Sequence, residues 1–171
     1  MYSSKIVNLT NNQLVKKDKI KRGSLAFASA ELMGILFTAD DRGKHQEVKR
    51  LIKNLEEDGK KVEVLSFVPK KKENLDFVFD YFTDKDVSFL GKFTAEQVVK
   101  FVNRPFDFLY CIDMTTHPLT EKIMAMSKAK CRVGKYNEGK SKFFEMMMGS
   151  GNISSYHTLV DEMYRYTKVL I

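Results

Sequence analysis

The sequence predicts a three-layer, Rossmann-like α/β protein: a mostly parallel sheet of about six strands with helices on both faces. Two observations carry this. Short apolar runs, suited to strands buried on both faces, alternate with segments whose apolar residues recur at helical spacing. The chain also has 171 residues, 43% of them hydrophobic and 30% charged, enough to bury a core without staples. With only 3 Pro, 9 Gly and 2 Cys, the composition excludes disordered, collagen-like and disulfide-rich classes.

Residues 33–38, Met-Gly-Ile-Leu-Phe-Thr, read as the first buried strand. The polar turn 39–43 follows. Val48, Leu51, Ile52 and Leu55 then fall on one helical face, with Asp40 or Asp41 as cap and Gly59 as terminator. Residues 61–68 give the next strand and complete a right-handed βαβ unit. Pro69 and three lysines mark a loop. Residues 75–82, rich in aromatics, leave a short strand and an irregular segment both open. Strands are expected at 86–90, 106–112, 131–136 and 143–148. Between them come a helix at 94–102 capped by Thr94, and one begun by Pro118 with Leu119, Ile123 and Met126 inward. Ser154 or Ser155 caps a last helix that packs through Leu159, Met163 and Tyr166.

The domain division expected is a basic N-terminal arm at 1–23 and a single Rossmann-like domain at 24–171. Lys5, Lys16, Lys17, Lys19, Lys21 and Arg22 against Asp18 give the arm +5 of the net +7. Such an arm suits phosphate or anionic-surface contact, or packs on the body through Ile6, Val7, Leu9, Leu14, Val15 and Ile20. Basic residues 16–22 before the apolar stretch 25–39 imitate a signal peptide, but Glu31 interrupts that stretch, so a cytoplasmic location is expected. No apolar run reaches membrane-spanning length.

Open parallel sheets bind ligands outside the carboxyl ends of their strands, where strand order reverses. If the first strand neighbours 106–112, Asp40, Asp41 and Arg42 meet Asp113, Thr115, Thr116 and His117 in one crevice. Two acids and a histidine suit acid–base chemistry; they equally suit helix caps and turns. No G-x-G-x-x-G, G-x-S-x-G or zinc-ligand spacing occurs. The stretch 134–141 matches the P-loop pattern formally, yet residues 143–148 beyond it read as a strand rather than a long helix. Cys111 and Cys131 are expected to be core residues.

Residues 104–113, Arg-Pro-Phe-Asp-Phe-Leu-Tyr-Cys-Ile-Asp, and 127–136, Ser-Lys-Ala-Lys-Cys-Arg-Val-Gly-Lys-Tyr, resemble a small uncharacterised family from Bacteroidetes. The resemblance extends to residues 33–37 and 89–92 and covers 30–171. The same two stretches are similar to the N-terminal half of lipopolysaccharide heptosyltransferases. There a strand ending in Asp precedes a helix and an Arg-x-Gly-Tyr-like strand; here that strand reads Arg132-Val133-Gly134-Lys135-Tyr136. The resemblance implies the Rossmann-like body. Glycosyl transfer would need a second, nucleotide-sugar domain that 171 residues leave no room for.

The expected function is therefore a non-catalytic binding or interaction module, with an anionic small molecule, a protein or a second copy as partner. A transferase or hydrolase using the crevice is the alternative, and nucleic-acid contact through the arm ranks behind both. No metal and no cofactor is expected.

Overall fold

The computed structural model describes residues 2–69, 78–149 and 153–171. Among these, strands β1 (Leu32–Thr38), β2 (Lys61–Val68), β3 (Asp80–Thr83), β4 (Phe108–Cys111), β5 (Cys131–Lys135) and β6 (Met146–Met148) form one sheet, all parallel, in the order β3-β2-β1-β4-β5-β6. Helices α1 (Ser4–Lys17), α3 (Glu96–Asn103) and α4 (Pro118–Met126) cover one face, and α2 (Arg42–Glu57) and α5 (Tyr156–Lys168) the other. The architecture is the three-layer α/β sandwich that the alternating pattern predicts.

The strand side chains divide between two cores with period two. Met33, Ile35 and Phe37 face α2 and α5, whereas Leu36 faces the opposite layer. In β4, Phe108 and Tyr110 join the first set, and Leu109 and Cys111 the second. Each such buried side chain contributes about 1.5–3 kcal/mol relative to exposure. Gly34 sits where a Cβ would meet Leu109 and the Phe106 ring at 2.8 and 2.9 Å, so the central strand gives up a side chain to let that ring in. Cys111 and Cys131 are both buried, on opposite faces of the sheet, which rules out a bond between them. Burial pushes the Cys111 thiol well up and the Cys131 thiol up to about 12, so neither is a thiolate at neutral pH.

Helix α2 buries Val48, Leu51 and Leu55, with Ile52 only partly covered, and ends at Gly59, whose φ of +77° suits glycine. Residues 1–23 contribute α1, which packs on α4. Val7 is fully buried there, and Asn11 Nδ2 donates to the Pro118 carbonyl at 2.9 Å. Leu14 and Val15 pack against the same core, while Leu9 and Ile20 stay exposed. The Arg22 guanidinium clamps the end of this segment, donating to Asp18 and to the Ser127 and Ala129 carbonyls.

Several expected elements differ. Residues 86–90 are no strand. The Asp86 carboxylate accepts from the Thr83 N–H and hydroxyl, which curls the chain into a 3-10 turn at Asp84–Asp86. A tight turn follows, closed by an isolated Val87–Phe93 bridge and Gly91 at φ +76°. Residue Thr94 spends its N–H on the Asp86 carbonyl, and Ala95 takes the cap position of α3 without a side-chain bond. The last strand is only Met146–Met148, because residues 138–143 coil into a 3-10 helix begun by the Asn137 side chain. In α5, capped by Ser155, Leu159 and Met163 are buried but Tyr166 is 43% exposed; Val160 and Thr167 turn inward instead. Residues 70–77, including most of the aromatic segment's first half, lie outside the described residues.

Candidate functional site

The chain runs outward from β1 through β2 to β3, then returns to β4 and runs outward the other way. Strand order therefore reverses between β1 and β4, and the crevice of such a sheet opens beyond Thr38 and Cys111. Asp113 stands two residues past β4 and is 1% exposed. It accepts from the Thr38 N–H at 3.0 Å and from the Thr38 hydroxyl at 2.9 Å, which laces the ends of the two strands together.

Lys44, in the first turn of α2, reaches back over the same strand end and is also 1% exposed. Its Nζ donates to Asp40 Oδ1 at 2.6 Å, to Asp113 Oδ1 at 2.8 Å and to the Thr38 carbonyl at 2.9 Å. An ammonium has three protons, so its donor capacity is filled. The Tyr156 ring, from the first turn of α5, lies 4.8 Å from Nζ and adds its π-face. Burial pulls the ammonium down, but Asp113 and Asp40 outweigh it and hold Lys44 above the ordinary lysine value. Burial pushes the Asp113 carboxyl above its ordinary value, against Lys44 and the Thr38 donors. Asp40 Oδ1 and Asp113 Oδ1 are both occupied by the Lys44 ammonium.

The other crevice residues divide. Asp41 is the cap of α2, its Oδ1 accepting from the Lys44 N–H at 2.7 Å. Arg42 and Thr115 are exposed at the rim. The Thr116 hydroxyl donates to Glu121 Oε1 at 2.6 Å; this carboxylate is 2% exposed at its side chain and also holds Lys140 at 2.6 Å. His117 caps α4: its Nδ1 accepts from the Leu119 N–H at 3.2 Å, which puts the ring proton on Nε2, 3.3 Å from the Tyr2 hydroxyl. The ring stacks on Phe67 with centroids 4.5 Å apart. Burial pulls its pKa below the ordinary value, against Asp84 and Glu121. Asp40 and Asp113 thus meet on one cation, whereas His117 belongs to the β2 side beneath Tyr2. Among the described residues no group of three or more His, Cys, Asp or Glu side chains is placed to hold a metal ion.

Sequence reasoning missed Lys44, Glu121 and Tyr156. For Lys44 a signal exists: it stands four residues before Val48, on the stripe that buries Val48, Leu51 and Leu55. The formal P-loop match runs through β5 and the 3-10 helix at Glu138–Phe143. Within it, a Cβ on Gly134 would come within 2.4 Å of the Phe144 ring, so this glycine serves packing rather than phosphate.

A doubly wound parallel sheet, with two switch-point carboxylates meeting on one buried lysine, defines a Rossmann-like α/β protein. The chain belongs to the family of unknown function DUF6913, whose family model matches residues 4–170. No curated protein matches the chain. No helix among the described residues is long and apolar enough to cross a membrane.

Proposed function

We propose that the protein is a non-catalytic binding module of the cytoplasm that takes an anionic small molecule. One observation carries this reading: Lys44 Nζ, 1% exposed at its side chain, holds Asp40 at 2.6 Å and Asp113 at 2.8 Å. The convergence meets the spacing that a transferase or hydrolase would need, but both Asp113 oxygens are spent on Lys44 and Thr38, which weighs against Asp113 as a base. The loose likeness of residues 104–113 and 127–136 to a heptosyltransferase half supports the layered body, and fold likeness transfers no chemistry. A net charge of +7 favours anions over cations as ligands.

Thermal unfolding with panels of nucleotides, sugar phosphates, carboxylates and metal ions tests the proposal. A ligand at 100 times its dissociation constant adds about 2.7 kcal/mol, a clear rise in Tm. Stabilisation by an anion without turnover is the expected result. Turnover lost in Asp113→Asn would replace this reading with the enzymatic one.

A further inference from the structure

On the α1–α3–α4 side, away from the crevice, a pocket of about 370 Å³ opens between the three helices and the turn at Ser88–Lys92. Leu14, Leu90, Phe93, Val98, Val102 and Met126 make its wall apolar. Lys17, Lys92 and Lys122 are its charged lining residues, with no carboxylate among the side chains that line it. Size and lining fall in the range of small-molecule sites, which combine an apolar wall with few polar groups.

Lys122 is the unusual member. Lys17 and Lys92 are exposed at the rim, but Lys122 is 6% exposed, on a helix that faces the core. Its Nζ donates to Thr10 Oγ1 at 3.0 Å, and Thr10 passes its own proton to the Val7 carbonyl at 2.8 Å. That hydroxyl is the hydrogen-bond partner of Lys122 among the described residues, and no ion pair among them holds it there. Burial, with no opposing charge, pulls its pKa below the lysine value. A buried ammonium is normally paired, because an unpaired one costs several kcal/mol. Here Thr10 Oγ1 takes one of its three protons, and the pocket that Lys122 lines offers the ammonium no carboxylate.

We propose that this pocket binds a medium-chain aliphatic carboxylate, its chain along the apolar wall and its carboxylate on Lys122 Nζ. Charge complementarity selects the occupant: lysines and no acids around an apolar slot fit an amphipathic anion, and the apolar length excludes a bare inorganic one. The proposal rests on the binding-module reading and gives it a place and a ligand class.

The test is calorimetric titration of the full chain with monomeric decanoate, and with decanol as the uncharged chain. Decanoate is expected to bind at least tenfold more tightly than decanol. Lys122→Met keeps the stem and removes the charge; it is expected to erase that preference while decanol affinity stays within twofold. Val99→Glu, at an exposed lining position of α3, sets a carboxylate against the ligand and is expected to weaken decanoate alone. This second variant keeps the test intact should Lys122→Met fold poorly. Equal binding of the two probes, or a preference that survives Lys122→Met, overturns the proposal and points to an apolar docking face for a protein. No decanoate binding beside a thermal shift from a nucleotide or sugar phosphate overturns the pocket and leaves the binding module standing. Decanoate binding beside turnover at Asp113 supports the pocket and overturns the non-catalytic reading.

Discussion

Lys44 answers three acceptors with three protons, and that match makes the site asymmetric to substitution. Lys44→Met leaves Asp113 buried and without its cation, a loss of about 3–5 kcal/mol. Pairing it with Asp113→Asn, which can still accept from the Thr38 N–H, recovers part of that loss; the coupling should exceed about 1 kcal/mol. Urea midpoints of the two single variants and the double variant measure it. Strictly additive losses would show that the pair contributes nothing as a pair. Why the site was half legible in the sequence also lies at this scale. Asp40, Asp41 and Asp113 advertise themselves as strand-end acids. Lys44 sits on the buried helical stripe, but a lysine is so seldom buried that composition argues against the periodicity. The cation that decides what the acids can do was therefore the residue the pattern hid.

Capping shows the same division between elements. Asp41 and Ser155 are side-chain caps of the expected kind. His117 caps α4 through Nδ1, a role that requires the neutral ring. Burial lowers its folded pKa below the unfolded value near 6.5, while Asp84 and Glu121 oppose the shift. Between the two values the unfolded chain binds more protons, so stability rises with pH and the rise is complete above 6.5. His117→Asn, which caps without titrating, should flatten this part of a stability profile taken by urea unfolding from about pH 5 to 8. An unchanged profile would assign the titration to another histidine. Among the strands, β1 and β4 are readable because each is a near-continuous apolar run in the middle of the sheet, and β2 because its second half is. The edge strand β3 has 4 residues, too few for a period to show, and β6 is the last 3 residues of the strand expected at 143–148. Residues 86–90 look like a strand by composition, and the Thr83–Asp86 capping box and the turn at Gly91 bend them away.

At the scale of the molecule, alternation of strands and helices gave the parallel sheet, but not the strand order. The β1–β4 adjacency that creates the crevice depends on the crossover after β3, and nothing periodic in the sequence encodes it. The Lys122 pocket is further from view. It needs α1, α3, α4 and the turn at Gly91 together, brought in from four separate stretches of chain. That assembly has a consequence in time. Helix α1 is the first element in the chain, yet its partner α4 begins at Pro118. Closing so long a loop carries an entropic cost that local contacts do not, so α1 is expected to dock after the rate-limiting step. Interactions formed after that step set how fast a protein comes apart, not how fast it assembles. Removing residues 1–17 should leave the refolding limb of a urea chevron within about twofold and speed unfolding at least about tenfold. A refolding rate that falls with the truncation would put α1 in the nucleus. With α1 docking late, this one helix acts as the latch that sets the lifetime of the finished fold.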